Sequence, residues 1–280
     1  MSVAKKKLGI IGFGNMGSSI ALGARSLFEV NVFDKDKQKL SNNSSGLKTE
    51  TLIVDLINNS DVIILAVKPQ DFDMLLNEIK PFIKGRLVIS IAAGITTGYI
   101  EKILNGARVI RVMPNIAVKI QAAETGLAKG RYARDEDLDF AKELFSLLGK
   151  VWVVKEEMID SVTAISGSGP AYIFYDMEIN KLDPLTIPVE RKNEYVQKLK
   201  QAAFEVGFNP KMALDLAICT TASSIQLLIK TGHSPMELRK MITSAGGTTE
   251  AAIKVLSNNG SWPEAAQAAK KRAKELSRGD

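Results

Sequence analysis

The sequence predicts a doubly wound α/β domain followed by an all-helical one, on three observations. Continuous Val/Ile runs recur through the first half, each separated from the next by a helical pattern. The glycine spacing Gly12-x-Gly14-x-x-Gly17 falls directly after the first such run. Beyond about Met158 the period becomes 3.6 residues and strand-like runs are absent. At 280 residues the chain has room for about two domains, and the boundary is read at 1–158 and 159–280.

Taken in order, Leu8–Gly12 is a buried-strand run and a helix follows from Asn15 to about Ser26. Val30–Phe33, Asp61–Val67, Leu87–Ile91 and Val109–Met113 are further strands. Because these runs do not alternate with polar residues, both faces are expected to be covered, which is the pattern of a parallel sheet. Helical patterns at Leu52–Asn58, Phe72–Ile83 and Tyr99–Leu104 supply the crossovers. Asp135–Leu148 reads as a capped amphipathic helix and Val151–Val154 as a last strand. The second half reads as helices at Tyr172–Ile179, Tyr195–Val206, Met212–Ile229, Glu237–Ile242, Thr249–Leu256 and Glu264–Leu276. The stretch 212–229 is apolar nearly all round, which marks a central core helix or a subunit interface. An obligate dimer built from residues 160–280 is therefore expected.

Composition narrows the chemistry. Cys219 and His233 are the single members of their kinds, so an intramolecular disulfide and a clustered His/Cys metal site are both excluded, and no metal is expected. His233 lies in Thr231–Pro235, which reads as an interhelical turn, not as a nucleophile motif. Lys and Arg number 37 against 31 Asp and Glu, a net charge of +6. The chain up to Ile165 holds 22 basic and 19 acidic residues, and the remainder 15 and 12, so neither half is distinctively basic. No aromatic residues interleave Lys5–Lys7 or Lys270–Arg272, and nucleic acid is not an expected partner. No run approaches the ~18 uninterrupted apolar residues of a membrane span. Met1–Lys7 lead straight into a strand with no leader pattern, and a cytoplasmic protein is expected.

An enzyme with this composition would rely on a cofactor, and the glycine motif supplies a place for one. In Gly12-Phe13-Gly14-Asn15-Met16-Gly17, the first glycine permits a tight turn, the second lets the backbone approach a pyrophosphate, and the third lets helix and strand pack closely. The helix N-terminus then offers amide N–H groups and a positive dipole end to the phosphates. Asp34 ends the second strand, 20 residues after Gly14, where an acidic side chain accepts from the ribose hydroxyls; it also suits a helix N-cap. This is the Rossmann-type arrangement for NADP or NAD, and Asp34 leans toward NAD, because its charge would face a 2′-phosphate. Ala66-Val67-Lys68-Pro69, Ala92-Ala93-Gly94 and Asn115 follow other strand ends that rim the same crevice.

Two stretches of the helical half are richer in small and hydroxyl residues than packing requires. Ser166-Gly167-Ser168-Gly169-Pro170-Ala171-Tyr172 opens a helix at Pro170. Thr243-Ser244-Ala245-Gly246-Gly247-Thr248-Thr249 joins two helices, and consecutive amides there beside Ser244 and Thr249 would suit a carboxylate. Helix capping is the competing explanation for both.

At these segments, together with Gly12–Gly17, Ala66–Gln70, Ser90–Gly94 and Arg111–Asn115, the chain closely resembles the pyrroline-5-carboxylate reductase family over essentially its full length. The resemblance implies reduction of 1-pyrroline-5-carboxylate to L-proline by hydride transfer from NAD(P)H, the final step of proline biosynthesis. It implies a helical C-terminal domain that forms a homodimer, often within a larger ring. It places Ser244 and the amides of Gly246, Gly247 and Thr248 on the carboxylate of a cyclic imine, with Thr249 as the catalytic residue donating to the ring nitrogen.

The chain departs from the family pattern at Ala245, where proline is usual, at Ile116-Ala117 after Asn115, where Thr-Pro is usual, and at Cys219, where glutamine is usual. It also has extra length at Asn180–Arg191, where Pro184 and Pro188 should interrupt a helix. Three other readings compete. One is a reductase of a related cyclic imine. Another is a β-hydroxyacid dehydrogenase-like enzyme, which would need a lysine early in the helical domain where none occurs before Lys181. The third is a non-catalytic NAD(P)-binding regulator, which would not need Ser244 and Thr249.

Overall fold

The computed structural model describes residues 5–41 and 46–277; the first four residues of the N-terminus read above lie outside them. Among the described residues the strands are β1 (Lys7–Ile11), β2 (Glu29–Phe33), β3 (Lys48–Thr49), β4 (Val62–Leu65), β5 (Leu87–Ser90), β6 (Arg108–Met113), β7 (Ala123–Lys129) and β8 (Gly149–Val153). They form one sheet in the order 3-2-1-4-5-6-7-8. The pairings from β3 across to β6 are parallel, with Leu8 of β1 opposite both Val30 and Val62. Every residue of β4 and β5 is buried, which is why those strands read as unbroken apolar runs.

The crossover helices are α1 (Asn15–Ala24), α2 (Lys37–Ser41), α3 (Ile53–Asn58), α4 (Phe72–Ile79), α5 (Thr97–Ile103) and α6 (Asp135–Ser146). On one side of the sheet Leu56, Phe72, Leu76 and Ile100 from α3, α4 and α5 join Ile63, Leu65 and Val88 in a single core cluster. Several elements depart from the expected ones: α2 and β3 are additional, α4 stops at Ile79, and two further departures have a clear physical cause. Helix α5 starts two residues early because Thr96 caps it, its hydroxyl accepting from Tyr99 N–H at 3.2 Å. Strand β7 was not expected at all. Its sequence, Ala-Glu-Thr-Gly-Leu-Ala-Lys, has little β propensity, but six of its seven residues are buried, and burial outweighs propensity.

The second half holds α7 (Ile159–Val162), α8 (Gly169–Ile179), α9 (Val189–Glu205), α10 (Pro210–Thr231), α11 (Pro235–Ile242), α12 (Thr248–Ser257) and α13 (Trp262–Leu276). As the two prolines require, α8 stops at Ile179 and α9 starts only after Pro188. Helix α9 begins six residues before the expected Tyr195, because its exposed first turns carry polar residues and give no apolar signal. Asn209 caps α10, accepting from Met212 N–H at 2.9 Å, and Gly232 ends it in the left-handed region at φ +68°. By length and hydropathy α10 passes for a membrane span, yet half its apolar window is buried within the fold, against α8 and α9. Trp262 of α13 stacks on Tyr195 at 5.7 Å between ring centroids and meets Tyr172 edge-on at 5.8 Å.

The chain divides into two compact units. One comprises the chain up to Val112 with Leu127–Glu156, and the other Met113–Gly126 with Glu157–Leu276. A single boundary at 158/159 does not anticipate that the segment 113–126 belongs with the helices. The reason is local: Asn115 bonds the helical half, as described below, and a Cβ on Gly126 would come within 2.8 Å of Val162.

Between α7 and α8 the helix widens to a π-turn at Thr163–Gly167, closed by Ser168 N–H donating to Thr163 O at 2.8 Å. Tyr172, fully buried, steadies this turn by donating its hydroxyl to Ala164 O at 2.8 Å. Burial pushes the Tyr172 phenol well above its ordinary ionisation range, so it remains a donor. Tyr172→Phe leaves a buried carbonyl without its donor and should cost about 1–2 kcal/mol of stability in urea unfolding. Unchanged stability would show that Ala164 O does not depend on this bond.

Candidate active site

The sheet order reverses between β1 and β4, and ligands of such folds bind beyond the carboxyl ends of the strands at that reversal. Gly12 leaves β1 with φ +102°, its N–H donating to Phe33 O at 2.8 Å, and a Cβ there would lie 2.5 Å from Ala66 O. A Cβ on Gly17 would run into the Gly12 carbonyl oxygen. At Gly14, by contrast, a Cβ would meet nothing within 4 Å. Gly12 and Gly17 are thus required by the protein's own packing. Gly14 faces open space, where it leaves bare backbone for a phosphate group to approach.

A cavity of about 450 Å³ opens at this point, and Gly12, Gly14, Asp34, Ala66, Val67 and Lys68 line it. Of the other expected cofactor residues, Phe13, Asn15, Met16, Gly17 and Pro69 adjoin the lining residues in the chain without lining the cavity themselves. Ala92, Ala93 and Gly94 follow β5, one strand further on, and do not line it either. Asp34 is buried. Its Oδ2 accepts from Phe13 N–H at 2.7 Å and its Oδ1 from Asp36 N–H at 2.8 Å. Lys39 Nζ stands 3.2 Å from Oδ2. Burial acts to raise the Asp34 pKa, but the bonds from Phe13, Asp36 and Lys39 outweigh it and hold the carboxyl below its ordinary range. The result is a fixed anion at the end of β2. Lys39, which sequence reasoning did not single out, is its counter-ion.

Asn115 requires a correction. It is 2% exposed, and its Nδ2 donates to Ser166 O at 3.1 Å. Its Oδ1 accepts from Ala117 N–H at 3.2 Å and Glu124 N–H at 3.1 Å. The amide expected to face a ligand holds three backbone groups of the helical unit together instead.

In that unit, α11 and α12 are joined by the turn Thr243–Gly247. Gly246 is left-handed at φ +68°, and a Cβ on Gly247 would overlap the Ser244 hydroxyl, so both glycines are needed to bring Ser244 against the start of α12. Two of the amides expected to meet a carboxylate have partners. Gly247 N–H closes the turn onto Ser244 O at 3.0 Å, and Gly246 N–H donates to Glu250 Oε2 at 2.7 Å. Thr248 is the first residue of α12, where helix geometry gives the N–H no intrahelical acceptor. The turn borders a cavity of about 610 Å³ whose walls include Arg239, Thr243, Glu250, Lys254 and Arg272.

Thr249 is 5% exposed, and its Oγ1 lies 3.1 Å from Ser168 Oγ. Thr248 Oγ1 lies 3.2 Å from the same atom, and Ser168 is fully buried. The two hydroxyl-rich stretches singled out in the sequence therefore meet through one serine. Ser168 was absent from the expected site residues; its place two residues before Pro170 at the head of a helix was the available signal.

The fold and these two sites define a dinucleotide-dependent oxidoreductase with a helical domain appended. Residues 194–276 match the family model for pyrroline-5-carboxylate reductase dimerisation, and residues 7–94 match that for NADP oxidoreductase, coenzyme F420-dependent. The pyrroline-5-carboxylate reductase of Methanosarcina acetivorans is 36% identical, covering 97% of this chain and 98% of its own. The structure of a Coxiella burnetii pyrroline-5-carboxylate reductase superposes with a TM-score of 0.67 at 32% identity, over 99% of this chain and 100% of that one. A Plasmodium falciparum pyrroline carboxylate reductase crystallised with NADP bound shares the fold, with a TM-score of 0.63 at 24% identity over 98% of both chains. The chain belongs to the pyrroline-5-carboxylate reductase family.

The glycine geometry makes a contrast that can be measured. Gly17→Ala should destabilise the fold by about 1–3 kcal/mol, because its methyl group meets a carbonyl oxygen. Gly14→Ala should leave thermal stability nearly unchanged and weaken dinucleotide binding in a fluorescence titration. Equal losses of stability in the two variants would contradict this division of roles.

Proposed function

We propose that the chain reduces 1-pyrroline-5-carboxylate to L-proline with NAD(P)H, the last step of proline biosynthesis. The observation that carries this reading is the buried Thr249 hydroxyl, held by Ser168 at 3.1 Å beside a Gly-Gly turn in a chain of this family. On this reading the first unit binds the dinucleotide and the second binds substrate and its own copy. A cytoplasmic location belongs to the same reading, supported by the single cysteine.

Reduced nicotinamide, when bound, supplies a hydride to the C=N carbon. The C=N π electrons move to nitrogen, and the proton of the iminium form ends on the amine. Thr249 donates to the lone pair that forms on that nitrogen as the π electrons arrive and it becomes tetrahedral, an interaction made only as the hydride transfers. Ser168, touching both Thr248 and Thr249, fixes the rotamer from which Thr249 donates. Ser244 and the Thr248 amide hold the carboxylate, and the Gly246 amide joins them once it exchanges its present partner. No strong acid or base is required, in keeping with a site that contains no histidine. Holding ring and donor face to face does most of the work.

The test of the reaction is oxidation of NAD(P)H matched by formation of proline on adding the imine, repeated with six-membered and carboxylate-free rings. Preference for another ring would name a different imine reductase, and no oxidation at all would name a binding protein. For Thr249, replacement by Ala should lower kcat by roughly 10²-fold while KM changes less, and Ser should restore much of the loss. Wild-type kcat in Thr249→Ala would remove the residue from the mechanism.

Cofactor choice follows from Asp34. Its two oxygens are each held by a backbone amide, so it cannot turn away from a 2′-phosphate, and Lys39 only partly offsets its charge. NADH is therefore used at least as well as NADPH, and Asp34→Ser moves the preference toward NADPH, read as kcat/KM with each cofactor. A native preference of about tenfold or more for NADPH would show that Lys35 and Lys39 govern the pocket.

Self-association follows from the helical unit, which leaves Ile218, Ile229, Met236, Met241 and Phe204 each more than 40% exposed. Light scattering should give a dimer or a multiple of it at micromolar concentration. A stable, active monomer would overturn this.

A further inference from the structure

The cavity alongside α12 is lined by Glu250, a carboxylate of the protein's own, which sits on a group assigned above to the substrate. Glu250 Oε2 accepts from Gly246 N–H at 2.7 Å. Gly246 is held independently from its other side, where Arg272 Nε donates to Gly246 O at 2.7 Å. Arg272 is itself anchored to Glu275 at 3.0 Å. The Gly246 carbonyl is thus anchored by a group other than Glu250.

Glu250 is solvent-exposed, so its bond to the amide competes with water and is readily exchanged. It also has somewhere to go. Lys254 stands four residues further along α12, the spacing at which a glutamate and a lysine pair on a helix, and both residues line the same cavity of about 610 Å³. An outward amide N–H serves one carboxylate oxygen at a time. The side chain of Glu250 and the carboxylate of an incoming imine therefore contend for one donor.

We propose that Glu250 sets the affinity for the substrate carboxylate by occupying its place on the Gly246 amide until the substrate displaces it. This rests on the reading of the Ser244–Thr248 turn as the carboxylate site. Exchange of one carboxylate for another leaves the turn hydrogen-bonded in both states and adds a displacement cost to KM for carboxylate-bearing imines. Turnover of bound substrate, governed by Thr249 and the dinucleotide, is not altered. A ring without a carboxylate never meets the competition.

The experiment compares wild type, Glu250→Gln and Glu250→Ala with 1-pyrroline-5-carboxylate and with carboxylate-free 1-pyrroline. In Glu250→Ala, KM for the carboxylate substrate should fall about three- to tenfold, with kcat within about twofold and KM for 1-pyrroline unchanged. Glu250→Gln, which keeps an acceptor but loses the charge, should fall between. If Glu250 merely caps α12, Glu250→Ala will lower the melting temperature and leave KM unchanged or raised, and the proposal is overturned. Ser244→Ala separates this failure from the deeper one. Should Ser244→Ala raise KM while Glu250→Ala does not lower it, the carboxylate site stands and the exchange falls. Should neither change KM, both readings fall together.

Discussion

The hydrogen bond between Ser168 and Thr249 joins two segments 81 residues apart in the chain, and the helical unit is arranged so that it can form. Four contacts converge on the loop that carries the serine. Ser168 N–H closes the π-turn onto Thr163 O at 2.8 Å. Tyr172 holds Ala164 O, Asn115 holds Ser166 O, and Thr248 touches the serine hydroxyl itself. Such a network is worth having only when its members are satisfied, since a buried hydroxyl without a partner costs more than an apolar one. Here the network fixes the one side chain that the proposed chemistry uses as a donor. It also explains why the segment 113–126 belongs with the helices: Asn115 is part of the support for the serine loop.

The dinucleotide end obeys a different constraint, close backbone approach. Gly17 must have no side chain because the Gly12 carbonyl lies where its Cβ would be, and this contact sets how tightly α1 packs against the end of β1. That packing also presents the Phe13 N–H to Asp34, so glycine loop and acidic residue are positioned together. The charge of Asp34 is a product of this geometry, since two backbone amides and a lysine outweigh the effect of burial. On the proposed reading of Asp34, cofactor choice depends on the same packing that shapes the glycine loop.

Much of this was legible in the sequence. The parallel strands announced themselves because both their faces are covered, and the glycines because each answers a separate steric demand. The break after Ile179 was visible in two prolines. What could not be read were features set by tertiary contacts. Strand β7 has almost no strand propensity and exists because it is buried between β6 and β8. Asn115 has the composition of a ligand-binding residue, yet its amide is used within the fold. The place of Ser168 depends on a π-turn that no periodicity predicts. Glu250 carries no signal of its own in the sequence, and only the geometry shows it on the Gly246 amide.

The central claim is that Ser168, Thr249 and the turn before α12 form one substrate site. A crystal structure of the enzyme with NADP and L-proline tests it most directly. The account predicts the proline nitrogen about 3 Å from Thr249 Oγ1, with Ser168 still bonded to that hydroxyl and the carboxylate on Ser244 and the amides of Gly246 and Thr248. Proline bound with its nitrogen away from Thr249, or with its carboxylate on groups outside this turn, would contradict it.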